Sequence, residues 1–228
     1  TADVPGPSRR EDMARAGAPI GSRNAMSLTP RVFWQSMTHP TWALAALQNG
    51  GKFRFKNLEP YYDASSFDNV TQFIGSQLNG SLDWDYLNEI RAAWDGPLIL
   101  KGILNGQDAT RAVAAGVDGL IVSNHGGRQL DAVPASIDLL EAIRSSVGPK
   151  VPLLFDSGVR SGLDIARALA AGADFVMCGR AFMYGVAALG EPGPDHVLAV
   201  LKDELENTMV QLGLERLADL PTALSRQS

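Results

Sequence analysis

Residues that staple, chelate or span a bilayer are scarce in this 228-residue sequence: there is one cysteine, there are three histidines, and aromatic residues make up only 7%. Cys178 alone can form no internal disulfide, and its place in an apolar run assigns it to packing. A reducing compartment follows, with the cytoplasm as the default. The sequence has no His-Glu-x-x-His pattern and no Cys/His cluster, so no metal site is expected. No apolar stretch reaches the roughly 20 residues needed to span a bilayer, and the N-terminus lacks the charged-then-apolar layout of a signal peptide. Neither export nor spanning is expected. Positive charge is not in excess either: the formal net charge is -5, which gives no general basic field, and nucleic acid is not an expected partner.

What is present suits one sizeable core, with 45% hydrophobic residues. From about residue 95, short apolar runs alternate with amphipathic stretches. The runs are Pro97–Lys101, Gly119–Ser123, Val151–Asp156 and Phe175–Gly179, and their lack of polar alternation predicts strands of a parallel sheet buried on both faces. Asn105 and Asp108 open a helix ending at Gly116, Pro134 and Ser136 one ending at Gly148, and Ser161 and Asp164 one ending at Gly172. A short helix is also predicted over Asp83–Ala93, and a C-terminal helix over Asp195–Leu212. Each run ends in polar residues, and four successive decorated strand ends favour a barrel over an open sheet with one switch point. The expected fold is therefore α/β, a (β/α)8 TIM barrel. The chain would supply its second half, from the end of strand 4 at Thr1-Ala2-Asp3 to strand 8. A half barrel leaves two edges unpaired, and Thr1 stands where a methionine would open a whole protein, so residues 1–228 are expected to be the carboxyl-terminal part of one barrel domain. Residues 13–82 break the rhythm with Arg31-Val32-Phe33-Trp34, Trp42, Lys52-Phe53-Arg54-Phe55-Lys56 and Tyr61-Tyr62, and read as a loop insertion after strand 4. Such an insertion serves as a lid, a subunit contact or a membrane contact.

The strand ends carry the chemistry. Ser123-Asn124-His125-Gly126-Gly127-Arg128 follows a buried run. His125 is either a hydrogen-bonded structural residue or a base, and the glycines, which admit a flat ligand, favour the base. A histidine that takes a proton beside an arginine that holds a carboxylate suits the oxidation of a hydroxy acid. Lys101 either snorkels to solvent or faces a cofactor that becomes negative on reduction. Asp156-Ser157-Gly158-Val159-Arg160 and Gly179-Arg180 close the last two strands, where barrels bind phosphate through glycine-exposed amides. At the other end of the chain, Asp3 is either a cap or the partner of protonated His125, and Arg10 either an exposed charge or a second carboxylate clamp.

Together these residues resemble the FMN-dependent α-hydroxy acid dehydrogenase and oxidase family, which includes L-lactate dehydrogenases, glycolate oxidases and mandelate dehydrogenases. The resemblance covers nearly the whole chain, and Ser-Asn-His-Gly-Gly-Arg-Gln-Leu-Asp at residues 123–131 is its signature. It implies FMN as cofactor and oxidation of an L-2-hydroxy acid, of (S) configuration, to the 2-oxo acid. His125 would be the base, Asp3 its partner, and Arg128 and Arg10 the binders of the substrate carboxylate. Lys101 would face the N1/O2 side of the flavin, with Thr1 and Ser123 along the ring and Asp156, Gly158, Arg160, Gly179 and Arg180 on ribityl and phosphate. His125 would take either the Cα proton or the hydroxyl proton. Electrons would leave to oxygen, a quinone or a carrier protein, and the resemblance implies a homo-oligomer, commonly a tetramer.

The sequence departs from the family in lacking an N-terminal half, in having no match at Tyr61 and Tyr62 to the family's active-site tyrosines, and in carrying Ser157 where many relatives have glycine. Met37–Leu44 and Lys52–Lys56 resemble the lactate-dehydrogenase-like branch, and their interleaved basic and aromatic residues suit a peripheral contact on the inner face of a membrane. Two rivals remain. A phosphate-binding barrel such as inosine monophosphate dehydrogenase shares Ala171-Gly172-Ala173-Asp174 but needs a nucleophilic cysteine on an exposed loop, whereas Cys178 reads as lying inside a strand. The other is a non-catalytic half-barrel scaffold that needs the missing half.

Overall fold

The structure is a computed structural model that describes residues 30–48, 59–61, 73, 82–130 and 132–223. The chain divides into two compact units, one spanning Gly6–Gly80 and the other running mainly from Ser81 onward.

In the first unit, α1 (Pro30–Thr38) and α2 (Pro40–Gln48) lie in the stretch expected to be loop. Proline explains both the starts and the break. Each helix opens on a proline, whose fixed φ suits the first helical position, and Pro40 pushes His39 out of helical conformation. The Thr38 hydroxyl closes α1 by donating to the Trp34 carbonyl at 3.0 Å. Glu59–Tyr61 forms a single 3-10 turn. Lys52–Lys56 and Tyr62 lie outside the described residues.

The second unit is built on α3 (Trp84–Ala93), β1 (Ile99–Ile103), α4 (Gly106–Ala114), β2 (Gly119–Val122), α5 (Ser136–Val147), β3 (Leu153–Phe155), α6 (Gly162–Ala170), β4 (Phe175–Val176), α7 (Arg180–Leu189) and α8 (Gly193–Leu212). The strands form one sheet in the order β1-β2-β3-β4, every neighbouring pair parallel. A doubly wound sheet reverses its strand order at a switch point; unbroken sequential order is that of one half of a (β/α)8 barrel. The inner strands are the most enclosed. Leu120 and Val122 on β2 and Leu153 on β3 are fully buried against Ala109 and Ala112 of α4, Leu140 and Ile143 of α5 and Ala168 of α6. Each buried leucine contributes about 2 kcal/mol by removal from water.

Four details differ from the sequence expectations. β1 runs past Lys101 to Ile103, with a register shift at Gly102, whose φ of 102° only glycine adopts without strain. β4 is two residues long, and although the Met177 amide still donates to the Phe155 carbonyl at 2.8 Å, Cys178 lies beyond the strand rather than inside it. Helix α7 was not anticipated: its run Arg180–Leu189 follows a glycine with no capping side chain. α8 starts two residues earlier than expected, at Gly193, where that glycine crosses Gly185 of α7 backbone to backbone; a Cβ on Gly193 would sit 2.3 Å from the Gly185 carbonyl oxygen.

The amino-terminal ends of the strands carry one construction twice. Arg91 of α3 donates to the Gly116 carbonyl at 3.2 Å and to Asp118 Oδ2 at 3.0 Å, while that same oxygen accepts the Leu98 amide at 2.8 Å. Arg144 of α5 donates to the Gly172 carbonyl at 2.8 Å and to Asp174 Oδ2 at 2.6 Å, which accepts the Leu153 amide at 2.8 Å. The sequence beneath them repeats: Arg111-Ala-Val-Ala-Ala-Gly-Val-Asp118 and Arg167-Ala-Leu-Ala-Ala-Gly-Ala-Asp174. The Leu98 amide, followed by Arg91, holds the Asp118 carboxyl below the ordinary range.

Candidate active site

At the opposite, carboxyl-terminal ends of the strands, polar side chains from β1, β2 and β3 converge. The bulge at Gly102 lies next to Lys101, whose Nζ donates to Ser123 Oγ at 2.9 Å and pairs with Asp156 Oδ2 at 3.4 Å. Both charged side chains are only 20% exposed, and Ser123 is fully buried, so the pair sits where water screens it less than on an open surface. The Lys101 ammonium thus meets an anion of the protein itself, Asp156, at the strand end.

His125 follows in a 3-10 turn, His125–Gly127, with φ of 55° at His125 and 68° at Gly126. Three side chains truss this turn. Ser123 Oγ accepts the His125 amide at 3.0 Å, Ser157 Oγ accepts the Gly126 amide at 3.0 Å, and Asn124 Oδ1 accepts the Gly127 amide at 3.1 Å. The Asn124 amide is in turn held by the buried hydroxyl of Ser136 at 2.9 Å. Sequence reasoning read Ser136 as a helix opener; the N-cap of α5 is Ala135, with no side-chain cap, and the Ser136 hydroxyl faces the site loop instead. Asn124 and Ser157 were also missed as supports. Asn124 lay in plain view in the signature, but nothing local in the sequence reveals which amide a distant hydroxyl accepts.

The two expected phosphate loops differ. After β3, Ser161 and Asp164 form a capping box, and Asp164 Oδ2 also accepts the Arg160 amide at 2.9 Å. The first turn of α6 is therefore satisfied by protein groups, the Gly162 amide donating to Glu204 Oε2 of α8 at 2.7 Å. After β4, α7 opens at Gly179 without a side-chain cap, so its N-terminal amides and the positive end of its dipole remain for an anion. A Cβ built on Gly158 or Gly179 meets nothing within 4 Å, so bare backbone borders open space in both loops. Arg180 Nη2 donates to the Gly126 carbonyl at 2.9 Å, which links this loop to the histidine turn. Arg160 donates to the Val159 carbonyl at 2.7 Å. This donor set, an uncapped helix start with two arginines and two open glycines, fits the phosphate of a mononucleotide.

The structure thus brings together Lys101, Ser123, His125 and Asp156, and ties Arg180 to them through Gly126. Arg128 caps the 3-10 turn in a half-buried position. Thr1, Asp3 and Arg10 lie outside the described residues. Burial pushes the Cys178 thiol up from its ordinary value, with nearby Arg160 opposing, a direction that disfavours the thiolate even though the residue lies outside the strand. Among the described residues no cluster of three or more His, Cys, Asp or Glu side chains could hold a metal ion.

Comparison with known proteins agrees in outline. A family model described as FMN-dependent dehydrogenase matches residues 1–227. The chain is 41% identical over 221 residues to an L-lactate dehydrogenase of Pseudomonas entomophila (strain L48), covering 96% of this chain and 57% of that protein. It is 40% identical to an L-lactate dehydrogenase of Acinetobacter baylyi, covering 96% and 56%. Among solved structures, (S)-mandelate dehydrogenase, described as a monotopic membrane protein, matches with a TM-score of 0.86 and 35% identity over 99% of this chain and 58% of that one. A mandelate oxidase matches with a TM-score of 0.59 and 41% identity, covering 61% of this chain and 42% of its own. The chain spans between half and three fifths of the length of the curated relatives it matches.

Proposed function

This chain belongs to the FMN-dependent dehydrogenase family, and from that premise we propose that it carries the base and most of the flavin-binding groups for oxidation of an L-2-hydroxy acid, L-lactate first among candidates, to the 2-oxo acid. The observation that carries the reading is the convergence of Lys101, Ser123, Asp156 and the His125 turn at the carboxyl ends of three parallel strands. FMN, when bound, supplies a two-electron acceptor. Its phosphate suits the α7 N-terminus with Gly179 and Arg180, with Gly158 and the Arg160 side chain on the neighbouring loop. Lys101 holds a fixed positive charge, which favours a ligand that gains negative charge, and Asp156 keeps that ammonium in place. His125 accepts one proton from the substrate, and Arg128, with Arg10, holds its carboxylate. On the family resemblance, Asp3 would partner the protonated imidazole and Thr1 would be among the residues that hold the flavin. Oxygen, a quinone or a carrier protein takes the electrons onward, and the working assembly is a homo-oligomer. Residues 1–228 form the carboxyl-terminal part of the barrel domain, and residues 13–82 an insertion within it.

The test is optical. The chain supplied with FMN is expected to bleach anaerobically on addition of L-lactate, glycolate or (S)-mandelate, and His125→Gln to keep the flavin spectrum while losing the bleaching. Bleaching at full speed in His125→Gln would remove the histidine from the reaction. A wild-type chain that takes up no flavin would favour the half-barrel scaffold.

The insertion suits a membrane surface. Phe33, Trp34 and Met37 on α1 and Trp42, Leu44 and Leu47 on α2 are exposed, Trp34 at 67% and Leu47 at 70%. That density of exposed apolar and aromatic side chains suits lipid headgroups, and the similar (S)-mandelate dehydrogenase is described as monotopic. No described helix is long and apolar enough to cross a membrane. Co-sedimentation with anionic vesicles at low salt is expected, and its absence would return the insertion to a lid or subunit contact.

A further inference from the structure

We propose that Ser157 is a positioning residue that locks the turn bearing His125 to the Lys101–Asp156 ion pair, a role that rests on the proposed function only for its catalytic consequence. Among the described residues, two that are not glycine have positive φ: His125 at 55° and Ser157 at 86°. Left-handed backbone is unfavourable for a serine, and it persists only where neighbouring contacts hold it. Those contacts are visible. Ser157 Oγ donates to Asp156 Oδ1 at 2.7 Å and accepts the Gly126 amide at 3.0 Å. The other oxygen of Asp156 faces Lys101 Nζ at 3.4 Å, Lys101 donates to Ser123 Oγ at 2.9 Å, and Ser123 Oγ accepts the His125 amide at 3.0 Å.

Two consecutive amides of the turn are thus each held by a hydroxyl, and each hydroxyl ends on one member of the ion pair. The ring closes across β1, β2 and the end of β3, and both strained residues lie on it. Glycine at 157 would relieve the backbone but drop both hydrogen bonds; alanine would drop them and keep the strain. Serine is the residue that accepts strain in exchange for a fixed Gly126, whose carbonyl Arg180 already holds at 2.9 Å.

The test compares Ser157→Gly and Ser157→Ala in the full chain by two measurements. Hydrogen–deuterium exchange without flavin or substrate should show the Gly126 amide exchanging about tenfold faster in both variants, the size expected for one lost hydrogen bond. In the flavin-loaded chain, the rate of substrate-driven reduction at saturating L-lactate should fall in Ser157→Gly while the half-saturating concentration stays unchanged. Unchanged exchange at Gly126 in both variants overturns the proposal, and so does faster exchange with an unaltered reduction rate. If the wild-type chain reduces no flavin, that result counts against the proposed function, and the exchange measurement alone decides the role of Ser157.

Discussion

Replacing Arg144 should expose how much of the stability rests on the amino-terminal ends of the strands. Its guanidinium donates to three backbone carbonyls, those of Gly172 at 2.8 Å, Gly148 at 2.8 Å and Val151 at 2.9 Å, and to Asp174 Oδ2 at 2.6 Å. Each carbonyl bond is worth about 1 kcal/mol net. The Asp174 side chain is 56% exposed, so the ion pair is discounted for solvent screening to about 0.5 kcal/mol. Arg144→Ala should therefore cost about 3–4 kcal/mol, which for a unit of this size lowers the melting temperature by roughly 10 °C. Arg144→Lys should recover little, because one ammonium cannot reach four acceptors on two separate loops with the geometry of a planar fork. Urea unfolding followed by circular dichroism gives the free energies, and FMN uptake serves as control, since the clamp lies at the end of the sheet remote from Lys101 and His125. A loss below about 1 kcal/mol in Arg144→Ala, or wild-type stability in Arg144→Lys, would refute the reasoning.

Two further outcomes concern packing and pH. Gly162→Ala should destabilise by about 3 kcal/mol or more, because its Cβ would lie 2.1 Å from the Leu205 backbone nitrogen and drive α6 from α8; a melting curve within 2 °C of wild type would contradict this. Asp118 has its carboxyl pKa lowered from 3.8 by the Leu98 amide and then by Arg91. A depressed folded-state pKa contributes stability above the unfolded value that disappears as pH falls through the folded one, so this share should be constant near neutrality and drain away below about pH 4. Asp118→Asn should flatten that part of the acid limb, and an identical limb in the variant would count against it.

The alternation of apolar runs and helices was legible because a parallel strand covered on both faces must be apolar throughout, and a helix start must satisfy its own amides. Asn105 and Ser161 cap α4 and α6 as their positions suggested. Lys101, His125, Asp156 and Arg180 were identifiable as site candidates because each is a polar residue that ends an apolar run. Less legible were the boundaries set by contacts between segments. α7 begins where a glycine leaves amides uncapped, and α8 begins where two glycines let backbones touch. The two-helix content of the insertion was obscured by aromatic residues that read as loop decoration, although the prolines at 30 and 40 marked both helix starts. The repeated arginine clamp was present as two near-identical octapeptides, but only the fold revealed that each serves a carboxylate beside an arginine of the preceding helix.

The sequence by itself determined the order of elements and the supply of chemistry, because both follow from the period of apolar residues and the residue types at their ends. Tertiary structure decided which groups meet. Asp156 pairs with Lys101 across the end of β2 because parallel strands bring equivalent ends to one rim, and Ser157 reaches Gly126 because the loops after β3 and β2 meet at that rim. Such distances between residues far apart in the chain arise from strand register and loop closure, which no local pattern encodes.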